Sequence, residues 1–315
     1  MQPQRISCAT VALDVPLAKL FDYAAPSDLQ VRAGDRVMVP FGARQRVGVV
    51  IDADAKSDVP AEKMKSISAV RDDAPRLSAD WLELMRFLAA YYQRPLGETV
   101  IGALPPRLRS TKALPKKVLQ RAASASSPRF VESLPPTPAQ AAVQQLIAAA
   151  LGRFQPFLLH GVTGSGKTEV YLHSIAEVLR RGLQALVLVP EISLTPQLEE
   201  RFRRAFPEAR LALLHSGLQD IARTSAWLDA AGGEAGIVLG TRLAVLAPMP
   251  RLALVVVDEE HDASFKQQEG LRYSARDAAI YRAKLAACPA ILGSATPSLE
   301  SWHNSQAGRY QRLDL

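Results

Sequence analysis

The segment Gly161-Val-Thr-Gly-Ser-Gly166-Lys167-Thr168 constrains this chain more than any other. It matches G-x-x-x-x-G-K-[ST] and follows the apolar run FLLH (157–160). After it, Val170, Ile175, Val178 and Leu179 recur at helical spacing, and Gly182 stops the pattern. A strand, a glycine-rich turn and a helix start, in that order, make a phosphate cradle. Gly161, Gly164 and Gly166, with Ser165 among them, let backbone N–H groups curl around an anion without Cβ clashes, and the helix N-terminus adds partial positive charge. Lys167 is expected to reach the β- and γ-phosphates of ATP, and Thr168 to ligand Mg²⁺.

The surrounding pattern supplies the rest of such a site. FLLH, ALVLVP (185–190), ARLALLH (209–215), GIVLG (236–240), LALVVVD (252–258) and AILGS (290–294) read as buried strands with helices between several of them. Leu198, Phe202 and Phe206 mark one such helix. This predicts a parallel sheet covered on both faces. LALVVV runs into Asp258-Glu259-Glu260-His261, and polar residues ending an apolar strand are costly unless they stand at the mouth of a site. Asp258 is expected to hold Mg²⁺ and Glu259 to orient and deprotonate an attacking water, with His261 near the γ-phosphate. A solvated loop is the alternative. Ser294 and Thr296, after the last strand, are expected to bond this acidic edge and relay its state; Arg242, after another strand, is expected on a DNA backbone phosphate. Thr137-Pro138-Ala139-Gln140 reads as a capping box; Gln140 either serves the cap alone or also reads an adenine edge. The five histidines show no metal spacing. Cys8 and Cys288 make neither a disulfide framework nor a four-cysteine zinc site, so no structural zinc and a reducing cytoplasm are expected.

The front of the chain differs. RISCATVAL, RVMVPF and RVGVVI alternate within residues 5–52 and suit a small barrel or sandwich. A helix follows, capped by Ser78, with Trp81, Leu84, Met85, Leu88 and Tyr92 on one face and Pro95 closing it. Seven prolines between Pro105 and Pro138, with the run ASASSP among them, read as a linker. The expected division is therefore 1–105 (β-rich), 106–135 (Pro/basic linker) and 136–315 (ATP-binding lobe). Residues 1–135 carry 20 Lys+Arg against 14 Asp+Glu, while 136–315 carry 18 against 17. That basic front half fits a polyanion partner and equally a solvated basic linker. No run approaches 18 apolar residues, and the start lacks an apolar stretch beside a basic head, so neither a membrane span nor a signal peptide is expected.

GVTGSGKTEVYL, LVLVPEISLTPQ, LHSGL, IVLGTRLAVLAP, VVVDEEHDASFKQQEGLRYSARDAAIYRA and ILGSATPSLES together resemble the first, RecA-like motor lobe of the primosomal replication-restart helicases, the PriA family of helicase superfamily 2. VPLAKLFDYAAP and VRAGDRVMVPFG resemble that family's 3′-DNA-end-binding domain. The resemblance implies an α/β chain: a small β-rich DNA-binding domain followed by a RecA-like parallel-sheet lobe. It implies an ATP- and Mg²⁺-dependent 3′-to-5′ motor on forked and single-stranded DNA. Other primosome proteins and single-strand-binding protein are the implied partners, at the bacterial nucleoid. By resemblance, Phe21, Asp22, Tyr23, Gly42 and Lys65 form the pocket for a terminal nucleotide; without it, Phe21 and Tyr23 read as strand core. Phe265, Lys266, Arg272 and Tyr273 lie in an aromatic-rich loop (262–277) that couples single-strand binding to ATP turnover.

Leu271 stands where the family usually has tryptophan, and 105–135 is too short for a winged-helix domain. The second lobe, its arginine finger, a cysteine-rich zinc segment and a C-terminal domain find no counterpart in these 315 residues, so the chain reads as a truncation or a short relative. Arg242, Arg272 and Arg276 are available in cis, at positions that point to DNA or structural contacts. Binding of ATP and DNA without unwinding is the expectation, with a fork-binding module that carries an inert ATP lobe as the alternative. A metabolic P-loop ATPase fits DEEH and SAT poorly.

Overall fold

The computed structural model describes residues 7–115, 118, 129–131 and 135–315. Its contacts divide the chain into two compact units, Met1–Arg121 with Gln219–Ala231, and Ala122–Leu218 with Gly232–Leu315.

In the first unit, alternating apolar residues produce strands β1 (Ser7–Ala12), β2 (Phe21–Ala25), β3 (Arg36–Phe41), β4 (Arg44–Asp52) and β5 (Ala69–Arg71). They form one antiparallel sheet in the order β2-β1-β4-β3-β5. Ala24 N donates to Lys65 O and Ile67 N to Ala24 O, so the segment leading into β5 lies against β2 and curls the sheet toward a barrel. Val11, Val37, Val39, Val50 and Ile67 fill its interior. Helix α1 (Ala79–Tyr91) starts where Ser78 accepts from Trp81 N, and it buries Trp81, Leu84, Met85 and Leu88; Tyr92 forms its half-buried C-cap. Pro95 does not only end this pattern: it is the N-cap of α2 (Leu96–Gly102).

The expected linker is packed at both ends. Pro106–Arg109 forms a short helix, α3, and Leu108, Leu114 and Val118 are buried. Arg36, only 2% exposed, donates to Leu108 O and pairs with Asp73. Farther on, Phe130 stacks on Phe206 at 5.3 Å and Val131 N donates to Ala205 O. Scattered apolar residues within a proline-rich basic run are enough to dock it. The run ASASSP lies outside the described residues.

The second unit holds strands β6 (Gln155–His160), β7 (Gln184–Leu188), β8 (Leu211–Leu214), β9 (Ile237–Gly240), β10 (Leu252–Val257), β11 (Pro289–Ser294) and β12 (Gln311–Asp314). All pair in parallel, in the order β12-β6-β11-β10-β7-β9-β8. The helices of this part of the chain are α4 (Pro138–Ala149), α5 (Lys167–Arg180), α6 (Pro196–Ala205), α7 (Asp220–Gly232), α8 (Ala275–Leu285) and α9 (Leu299–Gln306). Of these, α7 falls in the stretch that groups with the first unit. Each expected strand is present. β12 is additional: only Leu313 in it is buried, so it carries no apolar run. Register places Ser294 opposite His160 and Leu292 opposite Val257. The residues that follow β6, β11 and β10 therefore emerge side by side at one carboxyl edge, where parallel α/β sheets place their ligand sites. Among the described residues no helix is long and apolar enough to cross a membrane.

Candidate functional site

The loop after β6 has the backbone a phosphate cradle requires. Gly164 (φ +83°) and Gly166 (φ +87°) are left-handed, a conformation that costs a side chain roughly 1–2 kcal/mol. Lys167 opens α5; its ammonium donates to Gly161 O at 2.8 Å and lies 3.9 Å from Glu259 Oε1. Ser165 Oγ is buried without a hydrogen-bond partner among the described residues, a donor held ready in the cradle. Thr137 and Gln140 form the expected capping box at α4. Gln140 Oε1 accepts from Thr137 N at 2.8 Å and its Nε2 donates to Ser165 O at 3.4 Å. Both ends of this amide are committed, one to the cap and one to the loop, so here Gln140 braces the cradle.

Across the edge, Asp258 follows β10 and accepts from the Tyr171 hydroxyl at 2.9 Å. Burial pushes the Asp258 carboxyl above its ordinary range, against the pull of the Tyr171 hydrogen bond. Burial and the neighbouring Asp258 hold the Tyr171 hydroxyl far above its own, so it is a permanent donor. Glu259 has φ +46°, a strained backbone for a side-chain-bearing residue. His261 Nδ1 lies 2.8 Å from Ser294 Oγ and 3.7 Å from Glu259 Oε2, and its Nε2 is 3.4 Å from Thr296 Oγ1. Thr296 N donates to Ser294 Oγ. The structure thus gathers Lys167, Asp258, Glu259, His261, Ser294 and Thr296 into one connected edge.

Two features of this edge were not singled out from the sequence. Tyr171 is one: it stands four residues beyond Lys167, on the same helix face, and that spacing is the signal that could have found it. Glu260 is the other. Only 1% exposed, it accepts from Ser298 N (2.7 Å), Ser298 Oγ (3.0 Å), Ser301 Oγ (2.7 Å) and Arg276 (3.2 Å). This carboxylate ties the strand end to the N-terminus of α9, a charge-assisted cap.

In the first unit, a cavity of about 520 Å³ is lined by Phe21, Asp22, Tyr23, Gly42 and Lys65 together. Lys19, Lys56 and Lys63 also line it. Asp22 accepts from Thr10 Oγ1 (2.8 Å) and Ser57 Oγ (2.7 Å), which fixes its carboxylate. Phe21 meets Phe41 edge-on at 5.1 Å. Tyr23 is strand core: it is buried and its hydroxyl donates to Pro40 O, so it forms cavity wall and offers no open ring face.

The aromatic-rich loop differs from expectation. Phe265 and Tyr273 are 3% and 2% exposed, and the Tyr273 hydroxyl donates to Arg242 O. Their rings brace the loop from within and have no face for a base; apolar burial outweighs display here. Lys266 and Arg272 are exposed. Arg242 also turns inward, donating to Gln267 Oε1 (2.6 Å) and Ser264 O (3.1 Å), with Glu191 at 3.4 Å. It supports the loop's base.

Residues 137–304, just over half of the chain, match the DEAD/DEAH box helicase family. The chain belongs to that family. Residues 10–105 match the 3′DNA-binding domain (3′BD) of PriA. Replication restart protein PriA of Haemophilus influenzae is 37% identical over 97% of this chain and 51% of its own length. The Treponema pallidum protein of that name is 38% identical over 97% of this chain and 46% of its own. The chain thus spans about half the length of the curated relatives it matches. A solved structure of RecG bound to a three-way DNA junction aligns at 21% identity and TM-score 0.44, covering 74% of this chain and 29% of that one. Within this helicase family lobe, the P-loop, the DEEH strand end and the SAT strand end meet at one sheet edge.

Glu260→Ala should destabilise the second unit by about 1–3 kcal/mol, because it removes the acceptor of the buried Ser301 hydroxyl and of half-buried Ser298 and leaves Arg276 only Asp277 and Ser298 as partners. Urea unfolding checks this; a loss under about 1 kcal/mol would contradict the strut.

Proposed function

We propose that this chain is the fork-reading and ATP-binding portion of a 3′-to-5′ replication-restart DNA helicase. The observation that carries the reading is the presence, in one chain, of an intact phosphate cradle with its acidic edge and of a basic cavity that gathers Phe21, Asp22, Gly42 and Lys65. The relatives' name supports it. Forked and single-stranded DNA are the proposed substrates, and other primosome proteins and single-strand-binding protein the proposed partners, in the cytoplasm at the nucleoid.

ATP would lie in the cradle, with Gly161, Gly164, Ser165, Gly166 and Lys167 on its phosphates. Mg²⁺ fits the residues present. Thr168 and Asp258 offer hard oxygen donors, and Mg²⁺ is commonly held by one or two protein oxygens plus phosphates, without a ligand cluster. Among the described residues no group of three or more His, Cys, Asp and Glu is placed to hold a metal ion. When bound, the ion supplies charge neutralisation on the phosphates. Glu259 would take the proton of the attacking water, and His261, joined to Ser294 and Thr296, would report the state of that edge. Phosphoryl transfer also needs a mobile cation at the transition state, commonly an arginine worth about 10³–10⁵ in rate. Arg242 and Arg276 are both engaged internally, and Arg272, the exposed third arginine, lies in the loop assigned to DNA contact. That favours a chain that binds ATP and DNA but separates no strands by itself.

Lys167→Ala should weaken binding of a fluorescent ATP analogue at least about tenfold, and the parent chain should release no strand from a forked duplex. Equal affinities, or robust ATP-driven release, would count against this account.

In the DNA-end cavity, Asp22 would accept from a terminal 3′-hydroxyl while lysines at the rim meet phosphates. A 3′-phosphate would instead oppose the carboxylate. Forks ending in 3′-hydroxyl should therefore bind about tenfold tighter than those ending in 3′-phosphate, compared at one salt concentration. Asp22→Ala should erase the difference. A parent chain with no preference would remove the end-reading role.

A further inference from the structure

We propose that Tyr171 is a positioning residue for Asp258, and through it for the Mg²⁺ that accompanies a bound nucleotide; this rests on the nucleotide site proposed above. Tyr171 lies one helical turn beyond Lys167 in α5, with its side chain fully buried. A phenylalanine would fill nearly the same volume. The hydroxyl adds one thing, a donor 2.9 Å from Asp258 Oδ1.

The neighbouring strand is built around this contact. A Cβ on Gly293 of β11 would stand 1.7 Å from the Tyr171 hydroxyl, 2.9 Å from its Cζ and 3.4 Å from Asp258 Oδ1. Gly293 has an ordinary backbone, so its lack of a side chain serves close approach here and not a left-handed turn. Gly293 O also accepts from Glu260 N, which fixes the strand end that carries Asp258. Three segments, the P-loop helix, β10 and β11, thus meet at one hydrogen bond. Its effect is to commit one oxygen of the Asp258 carboxylate and so set the plane of the group. Partners that orient a metal-ligating group in this way commonly change metal affinity 10–100-fold when removed.

The test titrates Mg²⁺ into the 315-residue chain with a fluorescent ATP analogue, and records analogue binding with and without the ion. Tyr171→Phe should raise the Mg²⁺ concentration for half-maximal effect about tenfold. Analogue affinity without Mg²⁺ and the melting temperature should stay near parental values. A merely structural role would lower both of the latter. Gly293→Ala, which intrudes on the same pair, should raise the Mg²⁺ requirement at least as far. It should add less in the Tyr171→Phe background, where the nearest atom retreats from 1.7 to 2.9 Å. This second variant keeps the proposal open to test should Tyr171→Phe fold poorly. An unchanged Mg²⁺ requirement in a folded Tyr171→Phe chain overturns the proposal while leaving the nucleotide site intact, provided that the parent binds and Lys167→Ala does not. A parent chain that shows no Mg²⁺-dependent binding removes the site itself, and the proposal with it.

Discussion

An apolar strand that ends in charge must find partners for that charge at once, and the second unit is arranged around this requirement. β10 is buried along its whole length and runs directly into Asp258, Glu259, Glu260 and His261. A buried polar group without a partner costs on the order of 1–3 kcal/mol, and a charged one more. Each of the four has a different solution. Asp258 takes a tyrosine hydroxyl, Glu259 lies near the ammonium of Lys167 and the imidazole of His261, Glu260 takes an arginine and two serines, and His261 takes Ser294. Those partners come from α5, α8, β11 and α9 or their adjoining loops. Parallel register makes this possible, because it brings the carboxyl ends of β6, β11 and β10 to one line.

The first unit solves a related problem on a smaller scale. Its curled antiparallel sheet leaves a cavity lined by four lysines and two aspartates, of which Asp22 is held in place by hydrogen bonds. The Thr10 and Ser57 hydroxyls satisfy that aspartate from two different segments, so its orientation is set before any ligand arrives. Fixed polar groups on a rigid sheet are what preorganised recognition needs. In both units one carboxylate, Asp22 or Asp258, accepts from neutral hydroxyl donors, which orient it.

Much of this was legible in the residues. The six strand runs of the second unit stand out because most of their positions are apolar, and the capping box and glycine turn follow short local rules. β12 was hidden because QRLD buries a single leucine. The aromatic residues show the limit of local reasoning. The stripe of Trp81, Leu84, Met85 and Leu88 reads as core and is core. Phe265 and Tyr273 sit among basic and polar neighbours in sequence, yet the fold turns them inward and leaves Lys266 and Arg272 outside. Glu260 looked like one more acid at the mouth of the site, because Ser298 and Ser301 lie 38 and 41 residues away and only the sheet brings them to it.

The central claim, that each unit carries its own ligand site, is tested most directly by amide hydrogen exchange on the 315-residue chain. ATP with Mg²⁺ should slow exchange in segments covering 161–168 and 258–261 and leave 19–23, 40–42 and 63–65 unchanged. A short DNA ending in a 3′-hydroxyl should protect those three segments of the first unit. Protection by ATP confined to other regions, or none at the cradle under saturating nucleotide, would contradict the account.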